Sequence, residues 1–350
     1  MREGESITLT IDHTIQAQAE MVLRSTMHQW GAKDATAIVL DPRTGDILAM
    51  AVEPGYDANR FGAAGPARQR NRAVTDTYEP GSTFKVVTVA GALTSHLVTP
   101  RTPFTLPYSI RVADRVIHDA EKRGTERFTV AQILSRSSNV GAITLAEMLG
   151  QNRLLSWMKR FGFGQTTGID FPGESAGLLP GYWSGSTIGN VPIGQGVAVT
   201  PIQMAAAYAA IANHGVWVRP HLVAGAKAER RQMIPRSIDA QLVSMLKGVT
   251  AEGGTGYLAA IPGYQVAGKT GTAQKPDAHG GYSGAKYVAS FVGMVPASKP
   301  RLVVLVAVDE PRGAIWGGVV AAPAFQQIAQ FDLQYLEVPP DRPVPAVTRG

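Results

Sequence analysis

The stretch Tyr78-Glu79-Pro80-Gly81-Ser82-Thr83-Phe84-Lys85 leads from a proline-glycine turn into a run of apolar residues. The residues after Lys85 are almost all apolar, which predicts a buried helix. A serine at the start of a helix lies among unpaired backbone N–H groups. Because Lys85 follows Ser82 by three residues, the two side chains share one helical face. A lysine shielded from water can act as the base that activates a serine hydroxyl.

The pattern Ser-x-x-Lys occurs four times, at Ser82, Ser156, Ser244 and Ser283. Ser156 and Ser244 lie within amphipathic helical runs, where a surface serine and a solvated lysine are the ordinary interpretation. Ser283 lies in a glycine-rich loop that has no helix to hold the two side chains together. Only Ser82 combines a turn with a following apolar helix, so Ser82 is the candidate nucleophile.

Composition narrows the classes of protein that this chain can belong to. Its 350 residues suffice for one large core or two small ones, and 45% hydrophobic with 17% charged residues is typical of a folded protein. The net charge of +6 arises from dispersed basic residues, so we expect no nucleic acid binding. The chain contains no cysteine, which excludes disulfides and thiolate metal sites and is compatible with an extracytoplasmic location. No apolar run reaches the ~18 residues that a membrane-spanning helix needs.

Strands are predicted near both ends of the chain and helices in the middle. The predicted strands cover residues 6–11, 35–40, 47–52, 266–272, 287–295 and 301–309, and the predicted helices cover residues 13–30, 85–93, 128–135, 140–149, 151–161, 201–213, 237–250 and 318–335. Residues 99–126 are expected to be irregular with a short hairpin. The glycine- and proline-rich residues 162–200 are expected to form a functional rim. The economical arrangement is one sheet built from both ends of the chain, with a helical subdomain inserted.

Two further motifs each occur once in the chain. Ser137-Ser138-Asn139 lies in a break between two predicted helices, where Asn139 could point into a cleft or simply cap the next helix. Lys269-Thr270-Gly271-Thr272 lies in an apolar strand, where Gly271 would leave room for the backbone of a ligand. Lys269 could equally be a solvated lysine of an edge strand. The order of the three motifs decides between these interpretations.

Ser-x-x-Lys, Ser-x-Asn and Lys-Thr-Gly, in that order, form the motif set of penicillin-binding proteins and serine β-lactamases. Residues 6–336 resemble the transpeptidase domain of class B penicillin-binding proteins, and the division (septal) branch is favoured. The further stretches that carry the resemblance are 171–174, 177–180, 194–196, 199–201, 268–274 and 287–293. The resemblance implies an α/β fold of the α+β type, in which a mainly antiparallel sheet is flanked by helices and an all-helical subdomain is inserted.

Full-length members of this family carry a membrane anchor and a pedestal domain upstream. We therefore expect residues 1–337 to be an excised D,D-transpeptidase domain, residues 338–350 to be a proline-rich tail, and residues 1–5 to be an added start. The resemblance implies a location on the outer face of the bacterial cytoplasmic membrane. It also implies a membrane glycan polymerase of the division machinery as a partner, contacted through the missing upstream regions, and we expect this fragment to be monomeric.

The resemblance further implies an enzyme that cross-links peptidoglycan stem peptides ending in D-Ala-D-Ala and that is acylated by β-lactams. Its implied catalytic residues are Ser82 as nucleophile, Lys85 as base, Ser137 as proton relay, Asn139 as a ligand of Lys85 and of the substrate amide, and Lys269 as a positive charge beside Lys85. The implied substrate-binding residues are Thr270, Gly271 and Thr272. The backbone N–H groups of Ser82 and Thr272 would form the oxyanion hole. No metal or organic cofactor is implied.

Three alternatives share these motifs. A serine β-lactamase would need a carboxylate that activates the deacylating water; Glu174 is the candidate, but its sequence context matches the penicillin-binding family. A D,D-carboxypeptidase would use water in place of the acceptor amine. A β-lactam sensor domain would be acylated without turnover. The lifetime of the penicillin acyl-enzyme discriminates the β-lactamase from the other interpretations.

Overall fold

The computed structural model describes residues 6–277 and 280–343, and its centre is a five-stranded sheet. The sheet strands are β1 (Asp34–Leu40), β2 (Ile47–Glu53), β9 (Ala267–Pro276), β10 (Tyr282–Val295) and β11 (Leu302–Asp309). Their order is β2-β1-β11-β10-β9, and every neighbouring pair is antiparallel. Two strands from the start of the chain and three from its end thus form one sheet, which confirms the predicted α+β class.

Among the described residues, three small two-stranded sheets lie outside the central one. They pair β3 (Pro103–Leu106) with β6 (Glu126–Thr129), β4 (Ser109–Val112) with β5 (Arg115–His118), and β7 (Val216–Val218) with β8 (Arg230–Gln232). The β4–β5 pair is the short hairpin expected between residues 99 and 126. The pairing of β3 with β6 encloses this hairpin and was not predicted.

The eight predicted helices are found to within a few residues of their predicted bounds. The helices are α1 (His13–Trp30), α2 (Pro66–Gln69), α3 (Arg72–Thr75), α4 (Lys85–Thr94), α5 (Val130–Ser135), α6 (Asn139–Leu149), α7 (Gln151–Arg160), α8 (Thr187–Asn190), α9 (Pro201–Ala212), α10 (Arg236–Thr250) and α11 (Gly317–Tyr335). The short helices α2, α3 and α8 were not predicted. Single 3-10 turns cover residues 58–63, 81–84, 191–193 and 257–259. Among the helices described, none combines the length and apolar character required to cross a bilayer.

Side-chain caps explain why these helices begin where they do. The Asp12 carboxylate accepts the N–H groups of Thr14 and Ile15 at the start of α1. Thr200 and Gln203 form a reciprocal capping box at the start of α9, and Pro201 occupies its first position. These polar groups satisfy backbone donors that a buried helix end would otherwise leave unpaired.

Different helices cover the two faces of the sheet. Helices α1 and α11 cover one face, where Phe291 of β10 packs on Phe325 with ring centroids 4.7 Å apart. Helices α9 and α10 contact strands on the other face, which carries Val292. Every residue of α4 from Lys85 to Leu93 is buried, and α4 packs against α5, α6, α7 and α10. This helix is therefore the core of the inserted helical subdomain.

Two regions differ from the sequence-based description. Residues 6–11 were predicted to be a strand, but they form only an isolated bridge between Leu9 and Val223, because their pairing partner is a short loop. Part of the expected tail is docked: Asp341 accepts the backbone N–H of Gln265 at 2.7 Å, and Tyr264 donates to the carbonyl of Val338 at 2.6 Å. The remainder of the tail, residues 344–350, and the presumed added start, residues 1–5, lie outside the described residues.

The packing of α11 on the sheet predicts a large loss of stability on truncation of Phe325. We expect Phe325→Ala to lower the free energy of unfolding by about 3–5 kcal/mol, because the ring is fully buried and its removal leaves a cavity. Phe331→Ala on the same helix removes a partly exposed ring and should cost less than half as much. Urea unfolding curves of the two variants test this, and equal losses would contradict the packing described.

Candidate active site

The predicted nucleophile lies in the 3-10 turn that leads directly into α4. Gly81 adopts a left-handed conformation with φ of 56°, and its N–H donates to the carbonyl of Gly194 at 3.1 Å. The buried Tyr208 of α9 donates its hydroxyl to the carbonyl of Thr83 at 2.9 Å. The turn that carries Ser82 is therefore held on both sides by the glycine-rich rim and by the helical subdomain.

The same turn packs tightly against strand β9. A Cβ atom on Gly271 would lie 2.9 Å from the carbonyl oxygen of Pro80 and 2.3 Å from the hydroxyl of Ser290. A Cβ on Gly81 would lie 3.0 Å from the carbonyl oxygen of Thr272. Both positions require glycine because backbone meets backbone there. At Gly271 this space is filled by the protein itself, which gives the glycine a packing role in addition to any contact with substrate.

Lys85 begins α4 and is completely buried. Its ammonium nitrogen lies 3.1 Å from the hydroxyl of Ser137, 2.5 Å from the carbonyl oxygen of Ser137 and 2.7 Å from the amide oxygen of Asn139. The first two predicted motifs are thus joined by hydrogen bonds across more than fifty residues of sequence. Ser82 lies one turn before Lys85 on the same segment.

Burial decides the protonation of Lys85. Loss of hydration lowers the pKa of its side chain from 10.5 to about 7, and the negative charge of Asp119 opposes that shift. A lysine with a pKa near 7 is partly a free amine at neutral pH and can accept a proton. The site therefore supplies the base that a serine nucleophile needs.

The turn that carries Ser137 and Asn139 has an unusual backbone. Ser137 has φ of 60°, a left-handed conformation that is uncommon for residues other than glycine. Ser138 caps α6 by accepting the N–H of Gly141. Non-glycine residues in this conformation cluster at functional sites, where the surrounding structure holds them in place. Here the conformation brings both the carbonyl and the hydroxyl of Ser137 to Lys85.

Sequence analysis missed Asp119, which holds this turn. Its buried carboxylate accepts the hydroxyl of Ser138 at 3.1 Å and the backbone N–H groups of Asn139 and Val140 at 2.6 and 3.0 Å. Arg123 forms an ion pair with the same carboxylate at 2.5 Å. Asp119 follows β5 and lies about twenty residues before its partners, in a charged segment without a motif, so no local pattern in the sequence marks it.

Lys269 lies on β9, an end strand of the sheet, and is fully buried, so the alternative of a solvated lysine is wrong. Burial lowers its pKa well below the usual value, and the nearby positive charge of Lys85 lowers it further. Two buried ammonium groups within electrostatic reach of each other cannot both be charged without a large cost. The third motif is therefore coupled to the first electrostatically, through Lys269 and Lys85. The hydrogen bonds of Lys269 go to the carbonyl and hydroxyl of Thr270, each at 3.2 Å.

The two threonines of the third motif differ in their surroundings. The Thr270 hydroxyl is buried and lies 2.9 Å from the hydroxyl of Thr255. The Thr272 hydroxyl accepts the N–H of Gly317 at 3.1 Å, is partly exposed, and keeps its own hydrogen for another acceptor. Thr272 is therefore the better placed of the two to bind a ligand.

The carboxylates of Glu174 and Glu79 have different surroundings. Glu174 accepts the N–H and hydroxyl of Thr167 and the N–H of Gly168. Its carboxylate is thus occupied in holding the loop of residues 167–174 together. Glu79, which sequence analysis did not single out, accepts the N–H of Gly196 and the hydroxyl of Tyr282, and its other oxygen is buried without a partner. Burial raises the pKa of Glu79.

The other three Ser-x-x-Lys pairs show no such environment. Ser156 and Ser244 are exposed on α7 and α10, and Ser283 accepts backbone N–H groups within its own loop. Within residues 6–277 and 280–343, no group of three or more histidine, aspartate or glutamate side chains could hold a metal ion.

The family model and the related sequences that match this chain indicate the same family. A family model described as the penicillin binding protein transpeptidase domain matches residues 35–330. Penicillin-binding protein PbpB of Mycolicibacterium smegmatis is 38% identical and is aligned over 99% of this chain and 57% of its own length. Stage V sporulation protein D of Bacillus subtilis is 36% identical, over 97% of this chain and 55% of its own length. The chain thus spans little more than half of these relatives.

Solved structures agree with the sequence comparison. Penicillin-binding protein 3 from Mycobacterium tuberculosis, crystallised with aztreonam, matches 98% of this chain and 82% of its own at 35% identity and a TM-score of 0.90. The apo transpeptidase domain of penicillin-binding protein 3 from Burkholderia pseudomallei matches 98% of this chain and all of its own at 34% identity and a TM-score of 0.86. The chain therefore belongs to the penicillin-binding protein transpeptidase domain family, as its three motifs predicted.

Proposed function

We propose that this chain is a serine D,D-transpeptidase domain that cross-links peptidoglycan stem peptides ending in D-Ala-D-Ala. The observation that carries the proposal is the buried Lys85, with a pKa near 7, one turn after Ser82 and bonded to both Ser137 and Asn139. A relative from Pseudomonas aeruginosa, 35% identical over 97% of this chain, is named "Probable peptidoglycan D,D-transpeptidase PbpC". The related structures crystallised with aztreonam and with ampicillin support acylation by β-lactams.

In the proposed reaction the neutral amine of Lys85 takes the proton of the Ser82 hydroxyl. The Ser82 oxygen then attacks the carbonyl carbon between the two D-alanines. The negative oxygen of the tetrahedral intermediate is bound by the backbone N–H groups of Ser82 and Thr272, and each such donor contributes roughly 3 kcal/mol in enzymes of this kind. The close packing of the Ser82 turn on β9 places these two backbone segments side by side.

The remaining residues handle the leaving group and the terminal carboxylate. The Ser137 hydroxyl contacts Lys85 and would relay the proton from Lys85 to the departing D-alanine amine. Asn139 would orient Lys85 and the substrate amide, while Thr272, with Thr270 and Gly271 of the same strand, would bind the terminal carboxylate. Lys269, whose pKa burial and the charge of Lys85 lower well below the usual value, would hold the strand at Thr270 by donating to its carbonyl and hydroxyl. An amine of a neighbouring stem peptide then attacks the ester carbon and forms the new amide bond, while its proton passes through Lys85 to the Ser82 oxygen, which leaves as the free hydroxyl.

Hydrolysis of the acyl-enzyme, as in a serine β-lactamase or a carboxypeptidase, is the second candidate. In a serine β-lactamase it needs a carboxylate that activates the deacylating water, and Glu174 is occupied by three donors of its own loop. That arrangement counts against the β-lactamase, whereas a carboxypeptidase would differ from the transpeptidase only in using water in place of the acceptor amine. A sensor domain would form the acyl-enzyme equally well but would not cross-link stem peptides.

We also propose that residues 1–337 act as the catalytic domain of a longer, membrane-anchored protein on the outer face of the cytoplasmic membrane. A glycan polymerase of the division machinery would then bind through regions upstream of this domain. We expect the fragment itself to be monomeric, so analytical ultracentrifugation at micromolar concentration should give one species of 37.1 kDa. Nanomolar association with such a polymerase, or a stable dimer, would contradict this.

Incubation with penicillin should add one drug mass to the peptide that contains Ser82. The ring-opened drug stays tethered in the site, so the ester should persist for hours where no carboxylate activates water. Ser82→Ala should remove the adduct, and Lys85→Ala should abolish acylation by removing the base. Intact-protein and peptide mass spectra followed over time make the measurement.

The chain contains matched controls for this experiment. Ser156→Ala, Ser244→Ala and Ser283→Ala remove the other three Ser-x-x-Lys serines and should leave the adduct unchanged. An adduct that clears within seconds while excess penicillin is consumed would establish the β-lactamase alternative instead.

The rate of acylation should depend on pH through Lys85. Only the neutral amine can accept the serine proton, so the second-order rate constant should rise with pH through about 7 and then level off. Because the Asp119 carboxylate raises the pKa of Lys85, Asp119→Asn should shift the midpoint to lower pH. Stopped-flow acylation by a chromogenic β-lactam measures both profiles. A midpoint that stays in place or rises in Asp119→Asn would show that Lys85 is not the titrating base.

A further inference from the structure

A cavity of about 420 Å³ lies between the β7–β8 hairpin, helix α9 and residues 161–168. None of the eight residues assigned to transpeptidation lines it. Its hairpin wall is formed by Trp217, Arg219, Glu229 and Arg231, and its opposite wall includes Gln203 of α9. It is therefore a separate feature of the helical half of the molecule.

The register of the hairpin determines which side chains face this cavity. Trp217 is paired with Arg231, and two positions further along the hairpin the backbone N–H of Arg219 donates to the carbonyl of Glu229. Side chains two residues apart on a strand lie on the same face, so these four share one face of the hairpin. Arg230 lies on the opposite face and donates to the carbonyl of Arg43 at 2.9 Å.

The arginines at this cavity are bonded to neutral groups. Arg219 donates to the carbonyl of Lys227 at 3.2 Å, and Arg231 donates to the carbonyl of Arg160 at 3.0 Å. Arg160 in turn donates to the carbonyl of Met233. Within the described residues, none of the three guanidinium groups lies within 4 Å of a carboxylate oxygen.

One buried donor at this cavity has no partner among the described residues. The Nε atom of Arg219 is buried and makes no hydrogen bond there, which is costly for a charged group. The guanidinium of Arg231 lies 4.7 Å above the ring of Trp217, which fixes its plane. Two planar, oriented guanidinium groups therefore line one cavity with donor capacity to spare.

The balance of charge around the cavity is positive. Glu229 is the one acidic residue in its lining, against Arg219 and Arg231 in the lining and Arg160 directly behind. Burial and the charge of Arg160 lower the pKa of Arg231, whereas Glu229 raises it. The nearby carboxylate of Glu174 is already engaged by Thr167 and Gly168. An anion that enters the cavity would thus meet uncompensated positive charge.

We propose that this cavity binds a phosphate ester through Arg219 and Arg231. Guanidinium groups donate in a planar fork that matches phosphate oxygens. A tetrahedral phosphate has enough oxygens to accept from both forks at once, and it would give the buried Nε of Arg219 its missing acceptor. The ester could belong to a soluble or wall-polymer phosphate or to a lipid headgroup, each of which presents at least two non-bridging oxygens that accept hydrogen bonds.

The test measures binding of glycerol 3-phosphate to the full 350-residue chain by isothermal titration calorimetry. We expect Arg219→Gln and Arg231→Gln each to weaken binding by about tenfold or more, since a charge-assisted hydrogen bond is lost. Arg230→Gln removes the same charge from the same hairpin on the opposite face and should change affinity less than about twofold. Thermal unfolding of each variant checks that it is folded. Arg219→Lys keeps the positive charge but loses the planar pair of guanidinium donors, so it should also weaken binding. This variant replaces Arg219→Gln in the test if Arg219→Gln does not fold.

Vesicles of phosphatidylglycerol and phosphatidylcholine distinguish the two sources of the ester. Sedimentation with these vesicles that is lost in Arg219→Gln and Arg231→Gln, but kept in Arg230→Gln, supports the site with a lipid headgroup as its ligand. Binding of glycerol 3-phosphate without binding to vesicles supports the site with a soluble or polymeric phosphate. The proposal is overturned if the chain binds neither, or if Arg230→Gln weakens binding as much as the two cavity variants do.

Discussion

Burial of two lysines in one site is the constraint on which the rest of the active site depends. Lys85 and Lys269 are both fully buried, and a charged ammonium taken out of water costs several kcal/mol unless it is paired. The protein meets this cost at Lys85 with three oxygen acceptors from Ser137 and Asn139 and with the charge of Asp119 nearby. The result is an amine whose pKa lies near 7, because hydration is lost and the compensation is only partial.

Such an arrangement works only if distant segments are held rigidly together. Asp119 binds the helix start that carries Asn139, so the motif is anchored from the β4–β5 hairpin. On the other side, Gly81 and Gly271 let the turn of Ser82 touch the edge strand of the sheet at backbone distance. Close packing of this kind allows little movement, and it orients the nucleophile before a substrate arrives.

The cavity lined by Arg219 and Arg231 differs from the active site in how many of its hydrogen-bond donors are used. The active-site lysines have their hydrogen-bond partners within the protein, whereas Arg219 and Arg231 are bonded to backbone carbonyls and keep unused donors. Helix α9 takes part in both sites: Tyr208 supports the turn of Ser82, and Gln203 lines the cavity. The buried helix α9 therefore contacts both the turn that carries Ser82 and the positively charged cavity in the same subdomain.

The sequence alone was sufficient for the features that depend on neighbouring residues. The helix that begins at Pro201, the apolar helix after Lys85 and the strands at both ends of the chain all follow from local patterns, and the order of three motifs indicated the family. Asp119, Glu79 and the arginine cavity could not be found in this way. Their partners lie many residues away, and only the tertiary structure decides which side chains a turn or a hairpin face brings together. The wrongly predicted strand at residues 6–11 has the same cause, since a strand exists only where another segment is long enough to pair with it.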